Sequence, residues 1–163
     1  MTLAYLHRVF VRDASSLRDE LLAYPEDAQI WALPPGIKNS AGTLVLHLTG
    51  NLQHFVGAQF GGTGYVRNRD AEFSRRDVPR ADLLADVAAA LDAVARGMAG
   101  LTDERLATPF PVQLAGVTLP TGLVLLHMAT HLSYHLGQID YHRRLVTGQF
   151  GDVKALPVPV GGV

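Results

Sequence analysis

The stretch TGLVLLHMATHLSYHLGQIDYHRRLVT, residues 121–147, constrains this chain more than any other. Leu125, Met128, Leu132, Leu136 and Ile139 recur in it at three- and four-residue steps. His127, His131, His135, Gln138 and His142 recur in the same way. At about 100° per residue these five polar positions share an arc of about 80°, and the apolar stripe is centred about 100° to one side. Gly148 ends the segment. The spacing predicts a helix from Thr121 to Thr147, with its histidines facing inward between apolar and aromatic neighbours.

Three other segments carry the same periodicity. Leu6, Val9, Phe10, Leu17, Leu21 and Leu22 predict a helix over residues 3–24, closed by Pro25. Asn39 or Ser40 is a cap for a second helix over residues 41–59. The third begins between Pro79 and Asp82 and runs to Met98, on a stripe of Leu83, Leu84, Val87, Leu91, Val94 and Met98. Strand evidence is confined to VQLAGVTL (residues 112–119), and FGGTGYVRNRDAEFSRRDVP reads as a long, irregular, ion-paired connection. These features predict an all-α chain: one domain over residues 1–163, a four-helix bundle with long connections that allow non-sequential neighbours. Residues 150–163, punctuated by Pro and Gly, read as a surface tail.

Composition narrows the partners. A formal charge of -1 gives no electrostatic reason to bind nucleic acid or an acidic membrane. The pairs Arg75-Arg76 and Arg143-Arg144 read as solvated surface. No apolar run approaches the ~20 residues of a membrane span, and MTLAYLHRVFVRDASS lacks the basic start of a signal peptide. The chain has no cysteine, which removes disulfides, thiolate metal ligands and a protein thiol nucleophile, and suits the cytoplasm. There is no H-E-x-x-H, no G-x-S-x-G and no P-loop lysine, and Gly61-Gly62-Thr63-Gly64 reads as a flexible turn. No glutamate stands three residues before a histidine, as a ferritin-like di-iron site requires.

The histidines then need an explanation. His47, Asn51 and His54 share a face of the second helix, beside Leu48, Leu52 and Phe55. A buried imidazole without a partner costs about 1–3 kcal/mol, and a divalent cation satisfies several at once. Two histidines four apart on a helix reach one ion. Three in a row do not, because His127 and His135 are ~12 Å apart along the axis. The helix therefore offers His127 with His131 or His131 with His135, and the same spacing in other bundles serves hydrogen-bonded core histidines. His7 and His142 read as structural or surface groups.

NSAGTLVLHLTGNLQHFVGAQFGGTGYVRNRDAEFS and LLHMATHLSYHLGQIDYHRRLVTG together resemble the DinB/YfiT-like superfamily of four-helix-bundle metalloproteins. The most specific match is H-x-x-x-H followed by Gly-Gln, here His131, His135, Gly137 and Gln138. The resemblance implies a third ligand at His47 and selects His131 with His135. It implies a divalent metal, with zinc or nickel favoured for imidazole ligands. It also implies activity on a small-molecule substrate. Some members transfer low-molecular-weight thiols such as bacillithiol or mycothiol, and others are classed as metal-dependent hydrolases. A non-catalytic metal-binding bundle is the remaining reading. Asn51 and Gln138 are placed to orient the ligand rings, and His54 and His127 are candidate catalytic groups in the pocket. Arg67, Arg69, Asp70 and Glu72 are within loop reach of a substrate. A homodimer is expected on general grounds.

Overall fold

A computed structural model describes residues 2–151 and 153. The tail predicted over residues 150–163 falls largely outside the described residues. Four long helices carry the architecture: α1 (Leu3–Leu22), α3 (Ala41–Leu52), α5 (Arg80–Ala99) and α6 (Thr121–Thr147). Two short helices, α2 (Asp27–Ile30) and α4 (Arg69–Ser74), and a 3-10 turn (Glu104–Ala107) lie in the connections. There are no strands among the described residues.

Each boundary has a local cause. Ser40 Oγ accepts from the Thr43 backbone N–H at 3.2 Å and caps α3. Pro79 and Pro120 precede α5 and α6, where a fixed φ and a missing N–H cost nothing. Gly148, at φ 67°, closes α6 in the left-handed conformation that glycine adopts without strain, its N–H bonding the Arg144 carbonyl at 2.9 Å. The weakly alternating stretch at residues 112–119 forms a tight reversal instead of a strand. Leu114 and Val117 exchange backbone hydrogen bonds around Ala115 and Gly116, both at positive φ.

The bundle is not sequentially wound. Helix α6 packs against α1 and α3, and α5 packs against the same two, so the successive pairs α1/α3 and α5/α6 lie across diagonals. Phe10, Leu17, Leu21, Leu83, Val94, Leu125, Leu132, Leu136 and Ile139 fill the centre. All twelve residues of α3 are buried, because α4 and Trp31 cover the side away from the bundle. A helix with so little exposed surface must be apolar nearly all round, and its His47, Thr43, Thr49 and Asn51 therefore need partners.

The second helix departs from its expected course. Its α-helical part stops at Leu52, and residues 53–58 form a widened π-helical turn before the chain leaves at Phe60. Here α5 comes to backbone contact. A Cβ on Gly97 would stand 2.6 Å from the Val56 carbonyl oxygen, and one on Gly57 would stand 2.7 Å from Ala93 Cβ. Helix α1 ends at Leu22, two residues short of the predicted limit.

Candidate metal centre

His47 on α3 meets His131 and His135 on α6 across the interface between the two helices. One nitrogen from each of the three rings lies within 4.8 Å of the others. His47 Nε2 and His131 Nε2 are 3.2 Å apart. A tetrahedral ion with metal–nitrogen bonds of 2.0–2.1 Å has ligand–ligand edges of about 3.3 Å. One edge therefore has the required length, and the widest must close by at most about 1.5 Å.

The rings are held from behind. The His47 Nδ1–H donates to Glu72 Oε2 at 2.9 Å. Glu72 is itself gripped by Arg67, whose Nε and Nη2 reach Oε1 and Oε2 at 2.7 and 2.8 Å. Burial by itself would raise the Glu72 carboxyl, but hydrogen bonds from Arg67 and His47, with their charges, outweigh it and hold the group below its ordinary value. On α6 the His135 Nδ1–H donates to Gln138 Oε1 at 2.6 Å, and Gln138 Nε2 donates to Tyr134 Oη at 3.2 Å. Both tethers fix the proton on Nδ1 and leave Nε2 with its lone pair. His131 then carries its proton on Nε2, toward His47, unless a cation takes that place.

The electrostatics favour an unprotonated ring at His131 and at His135. Burial, then the neighbouring His135, His47 and His127 and the Arg67 charge, push His131 down to about 4. Burial lowers His135 as well, against the Gln138 hydrogen bond. The neutral imidazole is the form in which histidine ligates a borderline divalent ion.

Close packing makes the Glu72 tether possible. A Cβ on Gly50 would lie 2.4 Å from Glu72 Oε1, so glycine at that point of α3 admits the carboxylate. Asn68 caps α4 by accepting from the Ala71 N–H at 3.0 Å and fixes the turn that presents Glu72. Phe73 packs on the His47 ring at 4.8 Å between centroids, and the Arg67 guanidinium lies 5.5 Å from the Phe55 ring centre.

The structure thus joins the three expected ligands and Gln138, and it revises several neighbours. His127 is exposed, its ring 6.0 Å from that of His131. On the helical wheel it is the histidine farthest from the apolar stripe, so the inward-facing expectation fails there. His131 and His135 themselves are half-buried at the rim, not central. Asn51 is buried one turn from His47, and none of the described hydrogen bonds joins it to a ligand ring. His54 lies in the π-helical turn with Nδ1 buried and unpartnered. Burial and the Arg67 charge lower its pKa, with Glu72 opposing.

Glu72 and Arg67, expected at most as substrate contacts from an ion-paired loop, instead orient a ligand ring. Glycine inside an apolar helix, three residues after His47, was the available sign of a close approach at that point. His142 is buried and structural: the Tyr24 hydroxyl bonds its Nδ1 at 2.8 Å and its Nε2–H donates to the Ala32 carbonyl at 2.9 Å. Arg143 is 1% exposed and paired with Glu20 at 2.6 Å, which corrects its reading as solvated surface.

A family described as Protein of unknown function (DUF1572) matches residues 2–162. The chain belongs to the DUF1572 family. Its fold is DinB-like: it superposes on the crystal structure of a DinB-like protein from Bacillus cereus ATCC 10987 with a TM-score of 0.73 and 15% identity, covering 93% of this chain and 97% of that one. No curated protein matches it. This DUF1572 chain therefore combines a DinB-like bundle with a three-histidine group able to hold a metal. Among the described residues, no helix is long and apolar enough to cross a membrane.

Proposed function

We propose that His47, His131 and His135 bind one divalent cation, zinc or nickel, and that the protein is a metal-dependent enzyme acting on a small molecule. The reaction we favour is S-transfer from a low-molecular-weight thiol. The observation that carries the reading is the convergence of three imidazole nitrogens within 4.8 Å, two of the rings tethered through Nδ1. Three protein nitrogens leave a coordination position for an incoming group, as catalytic sites do. A cation there supplies Lewis acidity, lowering the pKa of a thiol or a water that reaches it.

The residues of the chain do the rest. Glu72 and Gln138 keep the rings oriented and basic, and half-burial at the bundle rim leaves the site accessible from outside. With no cysteine in the chain, a thiol nucleophile must arrive with a cofactor. Hydrolysis is the second reading, in which the same open position would hold a water.

Elemental analysis of natively purified protein, beside His47→Ala and His131→Ala, tests the metal. About one equivalent in the parent and loss in both variants is expected; an equal trace in all three refutes it. Loaded protein assayed with thiol and electrophile, against ester and amide substrates without thiol, then separates transfer from hydrolysis.

A further inference from the structure

A cavity of about 410 Å³ opens between the turn at residues 36–39 and the C-terminal half of α6. That is a typical size for a small-molecule site, for which about 300–1,000 Å³ is usual. Ile37, Leu44, Tyr141 and Leu145 give it apolar walls, and Lys38 and Gln138 are polar groups among its lining. Tyr141 and Leu145 are 78% and 60% exposed, so apolar surface faces solvent at its mouth without cover from the described chain. Among the described residues no carboxylate lines it, and Lys38, exposed at its edge, has no ion-pair partner. An apolar wall beside an exposed cation without a protein counter-charge favours a ligand with the complementary arrangement.

We propose that this cavity binds a small amphipathic carboxylate, with its anionic end on Lys38 and its alkyl or aromatic body against Ile37, Leu44, Tyr141 and Leu145. The position gives the site a consequence. Gln138 lines the cavity and also accepts the His135 Nδ1–H. A ligand packed there restrains the amide that orients a metal-binding ring. Occupancy of the cavity and metal affinity are thereby coupled, each raising the other by the same factor. This coupling rests on the metal reading; binding of the carboxylate does not.

The test uses 4-phenylbutyrate as probe and its uncharged amide as control. Both are titrated into the full chain by ¹H–¹⁵N NMR, with and without added zinc. Saturable shifts at Lys38, Tyr141 and Leu145 are expected, with the amide binding about tenfold more weakly, as the loss of one charge-assisted contact would give. Lys38→Gln should abolish the acid's advantage. Leu145→Trp, an exposed position at the mouth, should block both ligands, and Leu123→Trp, exposed at the other end of α6, should change neither.

Equal affinity of acid and amide, or binding indifferent to Leu145→Trp, overturns the proposal. Zinc uptake is measured on the same samples. A protein that binds zinc but not the probe defeats this inference alone. One that binds the probe but no zinc keeps the carboxylate site and removes the coupling and the metal reading.

Discussion

Helix α6 carries two polar clusters about two turns apart, and they are built on opposite terms. Toward its C-terminus, Arg143 is bound to Glu20 at 2.6 Å and to Asp140 at 3.0 Å, with His142 closed between Tyr24 and the Ala32 carbonyl. There the Arg143 donors meet the Glu20 and Asp140 carboxylates, which also act on each other as like charges. Upstream, His131 and His135 meet His47, and the groups that converge are all basic nitrogens. The first cluster ties α1 to α6 through the Arg143–Glu20 pair and serves the fold. The second brings together three nitrogen donors that could hold one cation. The comparison separates buried polarity closed by an ion pair from buried polarity that offers several donors to one guest.

Several variants can break or sharpen that contrast. The largest effect expected on the metal is from His131→Ala, which should abolish high-affinity zinc uptake in an isothermal titration while leaving the metal-free protein at least as stable in urea. A fall in metal-free stability of several kcal/mol would instead make His131 a structural core residue. At the other cluster, Arg143→Met should cost about 3–5 kcal/mol, because it strands the Glu20 carboxylate in a buried position. Urea unfolding measures this, and zinc stoichiometry should not change.

Glu72→Gln should lower zinc affinity about 10–100-fold with little loss of stability, as expected when a group behind a ligand is weakened. Gly50→Ala should reproduce part of that loss, since the added methyl would push against Glu72 Oε1. If affinity in both is that of the parent, the Arg67–Glu72–His47 chain is not part of the metal site.

The smallest expected effect is on the pH dependence of metal-free stability, where the clusters oppose each other. Burial first, against the Arg143 hydrogen bond and charge, lifts Glu20 to about 6 from 4.5. A raised carboxyl contributes stability below its unfolded pKa and loses it as pH rises through the folded one, so this contribution falls between pH 4.5 and about 6. His131 is depressed from 6.5 to about 4; its contribution is complete above pH 6.5 and is lost as pH falls toward 4. Glu20→Gln should steepen the acid loss of stability, and His131→Ala should flatten it. Identical profiles for the parent and both variants would remove the distinction.

Much of this was legible from periodicity. Helix α6 has the predicted limits of Thr121 and Thr147, and the resemblance built on His131, His135, Gly137 and Gln138 led to the bundle that was found. Arg143 was legible in principle. It falls within about 20° of the centre of the apolar stripe, and the helical wheel outweighs the general exposure of arginine pairs. Glu72 was not legible. It stands 25 residues from His47 and meets it only because α4 docks on a glycine of α3, a tertiary event without a periodic signature. The π-helical turn was hidden for the same reason: Gly57 and Gly97 are ordinary in their own helices and matter only where the backbones touch.

The central claim is that three imidazoles drawn from α3 and α6 share one cation. X-ray absorption at the zinc edge of the loaded protein tests it most directly. The account predicts three imidazole nitrogens at about 2.0–2.1 Å with an exogenous oxygen donor completing the sphere, reduced to two imidazoles or lost altogether in His47→Ala. A spectrum without imidazole scattering, or one unchanged in His47→Ala, would contradict it.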